Sequence, residues 1–309
     1  MIHQYKNNGY NIVMDVCSGA IHVVDDVTYD VIALYEEKSL EEIENELSYS
    51  KEDIEEAYKE VTSLKEEGLL FTEDIYEDYI KEVKSRKTVV KALCLHIAHD
   101  CNLACRYCFA EEGEYKGHRE LMSAKVGKAA LDFLVANSGN RHNLEVDFFG
   151  GEPTMNFGVV KEVVEYGRSL EEKHNKHFRF TLTTNGVLLN DEIMEFANKE
   201  MDNVVLSIDG RKEVNDRMRP TRNHAGSTYD IIVPKYKKIA DSRNQERYYV
   251  RGTFTHNNLD FSKDVLHLAN LGFKEISVEP VVAPSSHMQL RKKIYQHFLM
   301  NMTSLQRKS

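Results

Sequence analysis

No run of about 18 apolar residues occurs in the 309-residue chain, so the sequence offers no membrane-spanning helix and no membrane partner is expected. Its opening, Met1-Ile2-His3-Gln4-Tyr5-Lys6, lacks the apolar stretch of a secretory signal. Positive charge is in deficit: 40 Lys and Arg stand against 50 Asp and Glu, a net charge of -10, which argues against a nucleic-acid-binding surface. Tryptophan is absent altogether, and that absence excludes nothing. Cysteine is scarce, five residues in all, too few for a disulfide scaffold and suited to a reducing cytoplasm.

Three of those five cysteines sit together in Cys101-Asn-Leu-Ala-Cys105-Arg-Tyr-Cys108, a CxxxCxxC spacing. Three closely placed thiolates can hold three irons of a four-iron cube and leave the fourth iron open to a small molecule. A zinc site is the rival reading, with His96 and His99 nearby, but zinc usually takes four ligands. Cys94 reads as a small core residue of a strand and Cys17 as structural.

The pattern divides the chain into four stretches. Residues 1–78 read as a small separate unit, with a hairpin of strands near 12–16 and 20–24 and helical spacing from 26 to 36. Ser39 and Ser50 open two further helices, Gly68 ends the second, and a short strand is expected at 69–72. Strands with three helices resemble a winged helix, but the acidic helices disfavour DNA as its partner. Residues 79–88 read as a linker. Over 89–284 six strands alternate with helices, the pattern of a partial (β/α)6 TIM-like barrel in the α/β class. A helical segment is expected over 285–309.

In such a barrel the loops after the strands form the active face. The cysteine loop follows the first strand, Gly150-Gly151-Glu152-Pro153 the second, Thr184-Asn185-Gly186 the third and Ser207-Ile208-Asp209-Gly210 the fourth; Arg251 lies within the fifth. Taken singly, the last two loops are only turn signals and Glu152 could merely cap a helix. Their shared position at successive strand ends gives them weight.

CxxxCxxC after a first strand, an aromatic (Tyr107) before the last cysteine and GGEP after the next strand resemble the radical S-adenosylmethionine (SAM) superfamily. The resemblance implies a [4Fe-4S] cluster on Cys101, Cys105 and Cys108. It implies SAM on the open iron, cleaved by one electron to a 5'-deoxyadenosyl radical that abstracts hydrogen from a substrate. Tyr107, Gly150, Gly151, Glu152, Asn185, Ser207, Asp209 and Arg251 are the implied cofactor contacts. Glu152 would accept from the cofactor's ammonium group and Arg251, or failing it Arg219, would pair with its carboxylate.

Longer strings, Gly19-Ala-Ile-His-Val-Val-Asp-Asp26, Ala92-Leu-Cys-Leu-His-Ile-Ala-His-Asp-Cys-Asn102 and Arg251-Gly-Thr-Phe-Thr-His-Asn-Asn258, resemble the six-cysteine (SCIFF) peptide maturases of the SPASM group. That resemblance implies a precursor-peptide partner whose leader binds residues 1–78 as an added strand. It also implies thioether crosslinks from cysteine sulfur to an α-carbon, and an electron donor such as flavodoxin or ferredoxin. No cysteine follows Cys108, so the cluster-bearing SPASM domain of that group is expected to be missing. Epimerisation, carbon–carbon crosslinking and a truncated leader-binding protein are the alternatives.

Overall fold

The computed structural model describes residues 1–76, 78–86 and 88–282. The chain divides after residue 87 into two compact units. In the first, β1 (Ile2–Asn7), β2 (Tyr10–Asp15) and β3 (Ile21–Val24) form an antiparallel sheet in that order. The hairpin reading lacked β1. Asn8 and Gly9, at φ of 53° and 83°, turn the chain between β1 and β2, and two central residues at positive φ are what a type I′ turn requires.

Three helices follow: α1 (Asp26–Leu34), α2 (Leu40–Glu46) and α3 (Lys51–Glu66). The Glu42 carboxylate accepts from Ser39 N at 2.8 Å, and Ser50 Oγ accepts from Asp53 N at 3.1 Å, so both expected starts are capped. Val13 of the sheet is buried with Val31, Ile43, Ile54 and Val61 of the helices. The strand expected at 69–72 does not form. Phe71 has a φ of 54°, and Thr72 N and Oγ1 donate to the buried Asp15 carboxylate at 2.9 and 2.8 Å. A side chain, not a ladder, satisfies that backbone. A short helix, α4 (Tyr79–Ser85), occupies the stretch expected as a linker.

The second unit is built on six parallel strands: β4 (Ala92–Ala98), β5 (Asn143–Gly150), β6 (His177–Thr184), β7 (Asn203–Ser207), β8 (Tyr248–Phe254) and β9 (Ile276–Pro280), neighbours in sequence order. Between them run α5 (Ala124–Asn137), α6 (Phe157–His174), α7 (Asp191–Glu200), α8 (Lys212–Met218), α9 (Thr228–Ser242) and α10 (Phe261–Asn270). This is the expected α/β partial barrel. β4 begins later than position 89 because Val90 N donates to Asn137 O at 2.9 Å instead of to a strand. The helix α8 went unread because its seven residues carry only Val214 and Met218 as apolar side chains.

The strands have two unlike faces. Leu144, Val146 and Phe148 of β5 and Phe178, Phe180 and Leu182 of β6 are buried in the core with Leu131, Val163 and Val164 of α5 and α6. The alternate residues include Asp147, Arg179, Thr181 and Thr183. The apolar face therefore holds the helices and the polar face is kept for the barrel interior. Parallel strands also put all their C-terminal loops at one end, which is where the motifs lie. No helix among the described residues is long and apolar enough to cross a membrane. The helical segment expected over 285–309 lies outside the described residues.

Candidate functional site

Loops at the strand C-termini enclose a cavity of about 290 Å³. Cys101, Cys105 and Cys108 line it, together with Tyr107, Gly150, Gly151, Glu152, Asn185, Ser207 and Arg251. Of the three cysteines and the cofactor contacts implied by the sequence, only Asp209 is not on its wall. Among the described residues no three His, Cys, Asp or Glu side chains converge on one point, as a single metal ion needs. Burial pushes the Cys101 thiol up to about 11 and the Cys105 thiol up to about 12. Both are therefore neutral thiols in the metal-free protein, and loading iron releases their protons.

The GGEP loop lies against the start of the cysteine loop, backbone to backbone. Gly151 N donates to Ala98 O at 2.8 Å and Glu152 N to Asp100 O at 2.9 Å. Gly150 sits at φ 124°, and a Cβ there would stand 2.5 Å from Ala98 O. Only glycine fits so close an approach.

Glu152 is put to a use the sequence did not reveal. Its side chain is 1% exposed. One carboxylate oxygen accepts from Thr154 N at 3.1 Å, Thr154 Oγ1 at 2.5 Å and Thr184 Oγ1 at 2.7 Å; the other accepts from Asn185 N at 2.7 Å. Burial pushes this carboxyl up, and the hydrogen bonds from Thr154, Asn185 and Thr184 oppose it. The carboxylate thus ties the second strand's loop to the third's. Asn185 carries the tie onward: its Nδ2 donates to Asn102 Oδ1 at 2.7 Å and to Cys101 Sγ at 3.6 Å.

Asp209 is 3% exposed and works behind the wall. Tyr107 Oη donates to both its oxygens, at 2.8 and 2.9 Å, and Thr253 N donates at 3.1 Å. Its acceptors face Tyr107 and β8. Arg219, the second choice for an anion partner, is 7% exposed and lines the cavity. Its Nη1 donates to Tyr107 Oη at 2.8 Å. Arg251 lines the cavity too and lies near Asp147, whose carboxyl burial pushes up to about 6 against a bond from Thr183.

Sequence reading missed Asp147 and Thr183. They face the barrel interior, where Thr183 Oγ1 donates to Asp147 Oδ1 at 3.1 Å. The signal was available: both are polar residues alternating with buried apolar ones on a strand whose helix face is apolar. Phe149 and the exposed Phe109, their rings 6.5 Å apart and stacked, add an aromatic side to the cavity.

Residues 95–241 match the profile of the Radical SAM superfamily, whose cofactors are a [4Fe-4S] cluster and S-adenosylmethionine. The residues present fit that pair: three thiols wall one cavity, the backbone of Gly150 and Gly151 lines it beside them, and a buried guanidinium offers a partner for negative charge.

Among proteins of known sequence, an uncharacterised protein of Methanocaldococcus jannaschii is 34% identical over 192 residues, 62% of each chain. The radical SAM cyclopropyl synthase TigE of Paramaledivibacter caminithermalis is 24% identical over 296 residues, 86% of this chain and 59% of that one. The chain thus spans about three fifths of the length of these relatives. Among solved structures, anSMEcpe with bound AdoMet superposes with a TM-score of 0.61 at 21% identity, over 70% of this chain and 59% of that one. Streptococcus suis SuiB bound to S-adenosylmethionine superposes with a TM-score of 0.52 at 17% identity, over 100% of this chain and 70% of that one.

Proposed function

We propose that the chain is a radical SAM enzyme that modifies a ribosomally made precursor peptide, forming thioether crosslinks from cysteine sulfur to an α-carbon. The observation that carries the enzyme reading is the meeting of Cys101, Cys105 and Cys108 with the Gly150-Gly151 edge in one cavity. When bound, the cluster supplies one electron to SAM and so generates the radical that takes a hydrogen atom from substrate. The chain's residues do the rest. Cys101, Cys105 and Cys108 hold the irons. Gly150 and Gly151 let the cofactor lie against backbone, with Tyr107, Asn185, Ser207 and Arg251 around it. Glu152 fixes the loops through its own bonds. Asp147, Thr183 and Arg251 face the interior from which a substrate residue is reached.

The peptide reading is supported by relatives and by the first unit. A related structure of anSMEcpe holds AdoMet together with a Cp18Cys peptide, and TigE is a cyclopropyl synthase. The first unit ends its small sheet in two strand edges, β1 and β3, and an unpaired edge is a template for an added peptide strand. On this reading residues 1–78 take the leader, 79–88 link, 89–284 carry the chemistry and a flavodoxin or ferredoxin supplies electrons in the cytoplasm. Epimerisation or a carbon–carbon crosslink would use the same cavity.

The test is anaerobic reconstitution with iron and sulfide, followed by SAM, a reductant and a co-expressed candidate precursor. Formation of 5'-deoxyadenosine supports the enzyme, and a loss of about 2 mass units per crosslink supports a thioether, since each bond removes two hydrogens. No cofactor cleavage after full iron loading would sink the enzyme reading. Cys105→Ala should abolish iron loading; unchanged iron content would refute the ligand assignment.

A further inference from the structure

The segment that leaves α8 runs back along the cysteine loop as a short antiparallel pair. Leu103 bridges Thr221. Ala104 N donates to Pro220 O at 2.9 Å, Arg106 N to Met218 O at 2.9 Å and Arg222 N to Asn102 O at 3.4 Å. That register sets Arg219 directly opposite Cys105. Opposed residues of an antiparallel pair project to the same side with their Cβ atoms roughly 4.5–5.5 Å apart. Both residues line the cavity.

Arg219 is held in place from behind. Its Nη1 donates to Tyr107 Oη at 2.8 Å, and Tyr107 donates to Asp209. Arg219 and Tyr107 are on the cavity wall and Asp209 is not. In this chain of three, the cation therefore lies on the cavity side and the carboxylate behind the wall. The Arg219 Nε is buried and has no hydrogen-bond partner among the described residues. A buried cation with an unmet N–H is expensive unless negative charge meets it. Three thiolates around iron put negative charge on that side of the chain.

We infer that Arg219, held by Tyr107 and Asp209, is a positioning residue that raises the reduction potential of the cluster on Cys101, Cys105 and Cys108. It does so by stabilising the reduced form, which carries one more negative charge than the oxidised form. The inference rests on the reading of the three cysteines as cluster ligands. The only step involved is addition of one electron from an external reductant, with no bond made or broken. Charge near a cluster and hydrogen bonding at its sulfurs are established levers on its potential.

The test is a dye-mediated potentiometric titration of the anaerobically iron-loaded full chain, without SAM, read by electron paramagnetic resonance. Parent, Arg219→Met, Arg219→Lys and Tyr107→Phe are compared, after iron content and circular dichroism are matched. Arg219→Met should make reduction less favourable about tenfold, a fall of about 59 mV for a one-electron couple. Arg219→Lys should recover most of the fall, and Tyr107→Phe, which unhooks the guanidinium, should give a smaller one. If Arg219→Met does not load iron, the Lys and Phe variants decide: Tyr107→Phe must lie below both Arg219→Lys and the parent.

A loaded Met variant with the parent's potential overturns the inference, as does an unchanged potential with weakened SAM affinity, which would make Arg219 a cofactor anchor. Parent protein that takes up no iron removes the cluster reading itself, a different failure from a loaded parent with unshifted variants.

Discussion

Gly151→Ala tests how closely the glycine loop and the cysteine loop share one position. A Cβ at 151 would stand 2.1 Å from Asp100 O and 2.6 Å from Asp100 C, against ordinary contact at 3.4–4 Å. The clash is with backbone, so no side chain can swing away. Asp100 O must retreat by roughly an ångström, and it is the acceptor for Glu152 N and the neighbour of Cys101. Overpacking of this kind costs about 1–3 kcal/mol, and a strained hydrogen bond adds about 1 kcal/mol. Misplacing reacting groups by an ångström costs about 10²-fold in rate. Gly151→Ala is therefore expected to fold, to lose about 2–4 kcal/mol in urea unfolding and to form 5'-deoxyadenosine about a hundredfold more slowly. Gly158→Ala is the control: at the start of α6 an added Cβ meets nothing within 4 Å, and the helix should gain about 0.5–1 kcal/mol. Iron content and cofactor cleavage are read for both. Parent-like values in Gly151→Ala would refute the claim that the two loops share that space.

Glu152→Gln places an amide N–H among the donors of Thr154, Thr184 and Asn185, and at about 1.5–3 kcal/mol for each charged hydrogen bond lost it should cost roughly 3 kcal/mol or more; equal urea midpoints would refute the tie between the loops. In the first unit, burial pushes the Asp15 carboxyl up, but hydrogen bonds from Thr72 and Cys17 outweigh it and hold it below its ordinary value. Its contribution is thus present above the unfolded value of about 3.9 and is lost as pH falls through the lower folded value. Asp15→Asn should cost about 1–3 kcal/mol at neutral pH, seen as faster hydrogen exchange in β2, with the difference from parent closing in acid; an unchanged exchange rate would contradict it. Arg243 donates to Ala197 O, Met201 O and Arg247 O, at 3.0, 3.0 and 3.1 Å. Arg243→Met should lower stability by about 2–3 kcal/mol while leaving iron loading untouched, and a loss of iron would mean that the far end of the sheet reaches the site.

What could be read from the sequence was what local chemistry forces. Cysteine spacing, paired glycines and the alternation of apolar runs with helical spacing each have a short-range cause, and the six strands and most helices followed from them. Asn8-Gly9 carried an equally local signal for β1 and was passed over. Phe71 shows the opposite limit: an apolar run, 69–72, looked like a strand, but Asp15, far off in sequence, captured its backbone. Asp209 was named from motif position alone, and Arg219 as the second choice of a partner for a carboxylate. That they act through Tyr107, 102 and 112 residues away, is a product of folding that no periodicity records. The opposition of Arg219 to Cys105 is of the same kind, since it depends on where α8 ends.

The pairing of 102–106 with 218–222 also constrains how this protein can change over generations. A strand register tolerates exchange of side chains, especially at an exposed position such as Arg106, because its hydrogen bonds come from backbone. It does not tolerate a change of length, since one residue gained or lost turns every alternate side chain to the other side. An insertion between Cys101 and Cys105 would swing a sulfur away from the cavity, and one between α8 and Thr221 would do the same to the guanidinium. Two stretches more than a hundred residues apart in the chain are thereby locked to a common count. In descendants of this sequence they are free to differ in letters and bound to agree in number.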